Sequence, residues 1–246
     1  MCGESWRPVP CAETTPLRRF FDLQAGTVGA DLSAILPDVR GTLVDVGCGA
    51  QPYRVLLDPS VDYIGIDTAQ AGTAFGYETP GTRYYDGRIW PVDDRSADSV
   101  LATETLEHVL DPVQFLTEAD RVLKPGGTLI LTVPFAARWH FIPHDFWRFT
   151  PSGLRELLAA RKFENIRIYA RGNEVTVACY KSIAILLRFI LPQNESLFKR
   201  LMLLSIGLLV SPMFVALTVA AQLSLRSGGG DDCLGYTVLA GKSTDD

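Results

Sequence analysis

Apolar and polar positions along this chain fall into blocks that predict strands and helices in turn. In 42–46, Leu43, Val44 and Val46 are apolar on both faces of an extended chain, which suits a strand covered on two sides. Comparable runs at 61–67, 83–87, 98–103 and 128–134 predict four more strands. Residues 17–36, 51–57 and 112–123 read as helices; Asp111 is placed to cap the last, with Pro112 at its first turn. The segment 68–82 is too rich in glycine and proline for a full crossover helix. Lys124-Pro-Gly-Gly127 reads as a helix stop. Leu154, Leu157 and Leu158 give a further helix its apolar stripe, 163–171 alternates as a sixth strand, and 236–240 closes the pattern. Strands alternating with helices predict an α/β fold with a mostly parallel sheet.

Between the last two strands lies a different kind of sequence. Residues 173–234 are strongly apolar, and 201–225 carry no charge. That run is long enough to cross a bilayer, yet one crossing would strand the closing strand on the far side from its sheet. From 175 to 230 the bases are Lys181, Arg188, Lys199, Arg200 and Arg226, against the single acid Glu195. A helical hairpin lying on, or dipping into, an anionic membrane surface through 175–226 fits best. A soluble hairpin packed on the sheet and a homodimer interface are the alternatives. Gly207 and Pro212 predict a kink or break within the run.

The chemistry concentrates where the first strand ends. Asp45-Val-Gly47-Cys-Gly49 is an acid followed by a tight glycine turn, the place where an open α/β sheet binds its ligand. A dinucleotide fingerprint needs a third glycine, and Pro52 stands there instead, which disfavours NAD or FAD. Asp67 ends the second strand at the spacing at which an acid meets ribose hydroxyls, and Asp86-Gly87 end the third.

These features, with "LEHVLDP" and "ADRVLKPGGTLILTVP", resemble the class I S-adenosylmethionine-dependent methyltransferases, in their small-molecule, ubiquinone- and menaquinone-type branch. The likeness covers about residues 41–170 and the last strand. It implies a Rossmann-like, seven-stranded, mostly parallel sheet with an antiparallel last strand, here with the apolar helical hairpin inserted before it. The cofactor implied is S-adenosylmethionine. Asp45, Gly47 and Gly49 would hold its methionine part, Asp67 its ribose, Asp86 and Gly87 its adenine, while Thr103 and Glu104 would line the sulfonium side. The segment Pro143-His144-Asp145-Phe-Trp-Arg148-Phe-Thr resembles one that borders the family's acceptor pocket. His144 with Asp145, and His108, are the candidate catalytic groups, because an acceptor hydroxyl needs a base. Arg148 can equally pair with Asp145 only to pin the loop.

Composition narrows the partners. With 246 residues, 47% hydrophobic, the chain can bury a large core. A net charge of −5 disfavours nucleic acid, and five scattered cysteines suggest neither a disulfide framework nor a metal site. The first residues hold Pro8, Pro10 and Pro16 and do not read as a signal peptide. We therefore expect an arm and cover helix over 1–40, a methyltransferase domain over 41–172 and 235–246, and the hydrophobic insert over 173–234. The location expected is the cytoplasm, peripheral or re-entrant on a membrane, and the acceptor a small or lipid-linked molecule. The competing function is a catalytically idle, cofactor-binding scaffold that docks partners through the insert.

Overall fold

The computed structural model describes residues 20–71, 79–192 and 196–244. The expected N-terminal arm and residues 72–78 of the 68–82 segment lie outside these residues. The sheet is seven-stranded, in the order β3-β2-β1-β4-β5-β7-β6. Its strands are β1 (Thr42–Val46), β2 (Asp62–Thr68), β3 (Arg83–Tyr85), β4 (Ala97–Thr103), β5 (Leu123–Pro134), β6 (Phe163–Arg171) and β7 (Gly235–Lys242). β7 runs antiparallel to both neighbours, and the remaining pairings are parallel. The order reverses between β1 and β4, so a crevice opens beyond their carboxyl ends.

Pleating sends alternate residues to opposite layers. Val44 and Val46 face a core with Val100, Leu131 and Val238; Leu43 faces a second core with Leu101 and Ile130. α1 (Leu23–Ile35) covers this second face with Val28 and Leu32, and Asp22 caps it by accepting from the Ala25 amide. Among the described residues, the other helices with both ends described are α2 (Pro112–Val122), α3 (Pro151–Ala159), α4 (Glu174–Ile190) and α5 (Leu197–Ser224).

Three local expectations change. The helix expected over 51–57 is a single 3-10 turn, Arg54–Leu56, because Gln51 is forced to φ 57° and Pro52 follows it. Lys124–Gly127 does not lie between helix and strand: α2 ends at Val122 and these residues form an irregularity inside β5. Gly126 (φ 77°) supplies the turn, and Lys124 Nζ is tied to Asp98 Oδ2 at 2.7 Å.

α5 also runs unbroken through Gly207 and Pro212. Proline removes the amide that would reach the Leu208 carbonyl, but the Ser211 hydroxyl donates to that oxygen instead, at 2.8 Å. Gly207 lies against the Phe189 carbonyl of α4, where a Cβ would come within 2.6 Å, so it sets how closely the hairpin closes. The root of the hairpin is pinned by polar groups: Asn173 caps α4 and donates to the Ser224 carbonyl, while the Thr176 and Ser224 hydroxyls bond at 2.6 Å.

Candidate functional site

The glycine turn after β1 hangs on β2: the amides of Gly47 and Cys48 both donate to the Ile66 carbonyl. Gly47 (φ 70°) and Gly49 (φ 53°) are left-handed. A Cβ on Gly47 would come within 2.5 Å of Thr105 Oγ1, so the loop leaving β4 seals one side of the turn.

Asp45 and Asp67 converge beside this turn. Asp45 is opposite Gly65, and Asp67 follows two residues later on the same sheet face. Asp67 Oδ2 accepts from the Gly49 amide at 3.0 Å, and its Oδ1 accepts from Thr68 N at 2.7 Å. Asp45 accepts from the Tyr63 hydroxyl at 2.7 Å. Its carboxyl is pushed up to about 7, above all by burial and further by Asp67; the Tyr63 bond works the other way. Two buried acids side by side, with a phenol as the partner of one and the Arg54 guanidinium over that ring at 4.7 Å, form a site that can take further positive charge. A ligand bearing an ammonium and a sulfonium supplies it, so these residues fit S-adenosylmethionine.

Asp86 lies elsewhere on the rim. It is exposed, one residue beyond β3, and accepts from the Arg88 amide; Gly87 turns at φ 86°. Thr103 ends β4 with its hydroxyl buried, and Glu104 follows at φ 48° with its amide held by Thr132. The Glu104 carboxylate pairs with Arg171 Nη2 at 2.7 Å.

The imidazoles are arranged differently from the expected His144–Asp145 pair. Arg148 grips Asp145 with two bonds of 2.6 and 2.7 Å, and the remaining approach to Asp145 is made by His140, through its amide at 3.0 Å and its Nδ1 at 3.2 Å. His144 is exposed and touches this cluster through its carbonyl, which accepts from His108 Nδ1 at 2.6 Å. That bond fixes the His108 tautomer and leaves Nε2 facing Glu107, 3.6 Å away. Burial pushes His108 down to about 4, so it is neutral near pH 7. Glu107 is fully buried, neither oxygen has a hydrogen-bond partner among the described residues, and burial with nearby Glu104 holds its carboxyl well above the usual range. Glu107, His108 and His140 bring three ligand atoms within 4.8 Å of one another, and so are the described residues that can hold a cation.

Tyr63, Glu107 and Arg171 were not singled out from sequence, and His140 was noted in the aromatic loop without a catalytic role. Tyr63 and Arg171 sit within ordinary strand patterns and gain their roles from partners 18 and 67 residues away. His140 had one visible signal, its place five residues before Asp145 in an aromatic loop.

Residues 44–131 match the family described as "Methyltransferase domain". The ubiquinone biosynthesis O-methyltransferase of Cereibacter sphaeroides (strain KD131) is 30% identical over 197 residues, spanning 64% of this chain and 76% of that protein. The chain belongs to the S-adenosylmethionine-dependent methyltransferases. Within this family it falls in the class I, small-molecule branch, and S-adenosylmethionine is its cofactor. A methyltransferase of Mycobacterium bovis is 34% identical over 122 residues, 43% of this chain and 48% of its own. The fold is shared with a chain of the complex between the Haloferax volcanii Trm112 methyltransferase activator and a methyltransferase (TM-score 0.56, 19% identity, 97% and 100% coverage). It is also shared with Haemonchus contortus phosphoethanolamine N-methyltransferase 2 bound to S-adenosylhomocysteine (TM-score 0.52, 15% identity, 91% and 60% coverage).

Proposed function

We propose that this methyltransferase acts on a small, lipid-like acceptor that it meets at the cytoplasmic face of a membrane. The observation that carries this reading is α5. The most apolar 18-residue part of Leu197–Ser227 has a mean hydropathy of 2.2, yet only 11% of it is buried. Phe198, Leu208 and Leu209 are each more than three-quarters exposed. A soluble core helix would bury such a face.

Topology restricts how a bilayer can cover it. β6 and β7 are hydrogen-bonded neighbours, so the chain must leave and re-enter on one side. At 28 residues α5 is about 42 Å long, whereas the 17 residues of α4 reach about 25 Å. The unequal lengths, with Lys181 and Arg188 on the shorter helix, favour a hairpin lying on or dipping into one leaflet over a matched pair of spans. Lys181, Arg188, Lys199 and Arg200 supply charge for anionic headgroups. Tyr180 and Lys181 lie within electrostatic reach of Arg138 and Arg148, which places the foot of α4 beside the loop bearing exposed Trp139, Ile142, Phe146 and Trp147. Aromatic side chains of this kind favour the membrane interface.

In this reading Asp45, Gly47 and Gly49 hold the methionine part of the cofactor, Asp67 the ribose, Asp86 with Gly87 the adenine, and Thr103 with Glu104 line the transfer side. Bound S-adenosylmethionine supplies an electrophilic methyl group. The protein's contribution is alignment of the acceptor with it, which can provide most of the acceleration. His108, neutral near pH 7, is the candidate for the acceptor's proton through Nε2, and its lowered value makes it a weak base, so alignment rather than proton removal is the protein's main contribution.

The test is incubation of the full chain with methyl-labelled S-adenosylmethionine and fractionated cell extract. Label is expected in the lipid phase; label confined to protein or nucleic acid overturns the reading.

A further inference from the structure

A cavity of about 460 Å³ opens at the root of the hairpin, between α1, the end of β6 and the end of α5. We infer that it receives the acceptor's head group, and that Arg171 recognises an oxygen on that head. This inference rests on the lipid-like acceptor proposed above and extends it to a site and a chemical class.

The volume lies within the range of small-molecule sites. Phe20, Leu23, Ala30 and Leu225 supply apolar wall, while Arg171 and Asp31 bring polar groups. Arg171 is 3% exposed. Its Nη2 is satisfied by Glu104 and by the Val133 carbonyl, but Nε and Nη1 are buried without an acceptor among the described residues. A buried guanidinium with two idle nitrogens is costly; both are closed to solvent, so a ligand oxygen removes that cost once the side chain turns toward the cavity. The pairing with Glu104 ties this wall of the cavity to the residue that follows β4, on the transfer side. Glu104 balances Arg171, and Asp31 adds a negative charge while accepting from Thr237. A hydroxyl or carbonyl head suits that balance. The apolar wall continues into α5, along which a tail can lie: Leu225 directly follows that helix.

The class follows: an amphipathic molecule with an oxygen-bearing head and an apolar tail. The probes are decanol and decyltrimethylammonium, which share a chain and differ in the head. Each is titrated calorimetrically into the full-length protein below its aggregation limit, with S-adenosylhomocysteine as a separate control ligand. Wild type is expected to bind decanol and not the cation. Ala30→Trp, which fills the cavity from the surface of α1, and Arg171→Gln should each weaken decanol by about tenfold or more. Ala30→Trp should bind S-adenosylhomocysteine as wild type does, which separates a blocked cavity from a damaged fold. Equal binding of both probes, or wild-type decanol binding by Ala30→Trp, overturns the inference. Co-sedimentation of wild type with anionic vesicles is measured in parallel. If it persists while Ala30→Trp leaves decanol binding intact, the cavity assignment falls and the membrane reading stands.

Discussion

Arg171 reaches Glu104 by crossing over Gly235, the first residue of the intervening strand β7. A Cβ at Gly235 would collide with the Arg171 guanidinium and the Val133 carbonyl. The glycine is thus required by a side chain 64 residues earlier rather than by its own backbone angles. Gly235→Ala should destabilise the fold by about 3 kcal/mol, since it displaces a buried ion pair and overpacks the sheet. Thermal or urea unfolding measures this. A Gly235→Ala protein as stable as wild type would show that Arg171 does not cross there.

Asp45 gives a pH dependence with a definite sign. Its folded-state value of about 7 lies above the ordinary 3.8. The stabilising contribution of its proton is therefore complete below about 4 and is lost as pH rises through 7. Asp45→Asn should make the ligand-free protein more stable above pH 7, by on the order of 4 kcal/mol at most, and change little near pH 4. Cofactor binding should move the opposite way. A cation favours the ionised carboxylate, so affinity for S-adenosylhomocysteine, which keeps the ammonium, should rise between pH 6 and 8. Calorimetry at several pH values checks both slopes, and a flat affinity profile in wild type would remove Asp45 from the ammonium's surroundings.

Leu208 and Leu209 are 78% and 80% exposed on α5, so replacing them touches little of the interior. The double change to serine should leave the melting temperature within a few degrees. It should also reduce co-sedimentation with anionic vesicles by about tenfold, given the apolar area lost. Unchanged vesicle binding would point to the aromatic loop instead of the hairpin.

Much of this architecture was legible in the sequence because strands covered on both faces read as short apolar runs. β1 illustrates this, ending at Gly47, whereas β6, an edge strand, was legible by its alternation and the hairpin by its long uncharged apolar run. Failures came where local signals met tertiary ones. Lys124–Gly127 carries a helix-stop pattern, but pairing with β4 on both sides draws it into β5. Pro212 signals a break, yet the Ser211 hydroxyl replaces the missing donor. Adjacency suggested His144 for Asp145, whereas the loop turns His140 to it and leaves the His144 carbonyl for His108. Asp45 and Asp67 were readable as acids at strand ends. The phenol of Tyr63 that fixes one of them was not, since strand register decides it.

The most direct test of the cofactor site is calorimetric titration of S-adenosylmethionine into wild type and Asp67→Asn, with NADH as the competing ligand class. Asparagine keeps the shape of the side chain but lacks the charge and one acceptor that the Gly49 and Thr68 amides and a ribose diol require. Binding by wild type, none of NADH, and a loss of about a hundredfold in Asp67→Asn are expected. Wild-type affinity in Asp67→Asn, or a preference for NADH, would contradict the assignment.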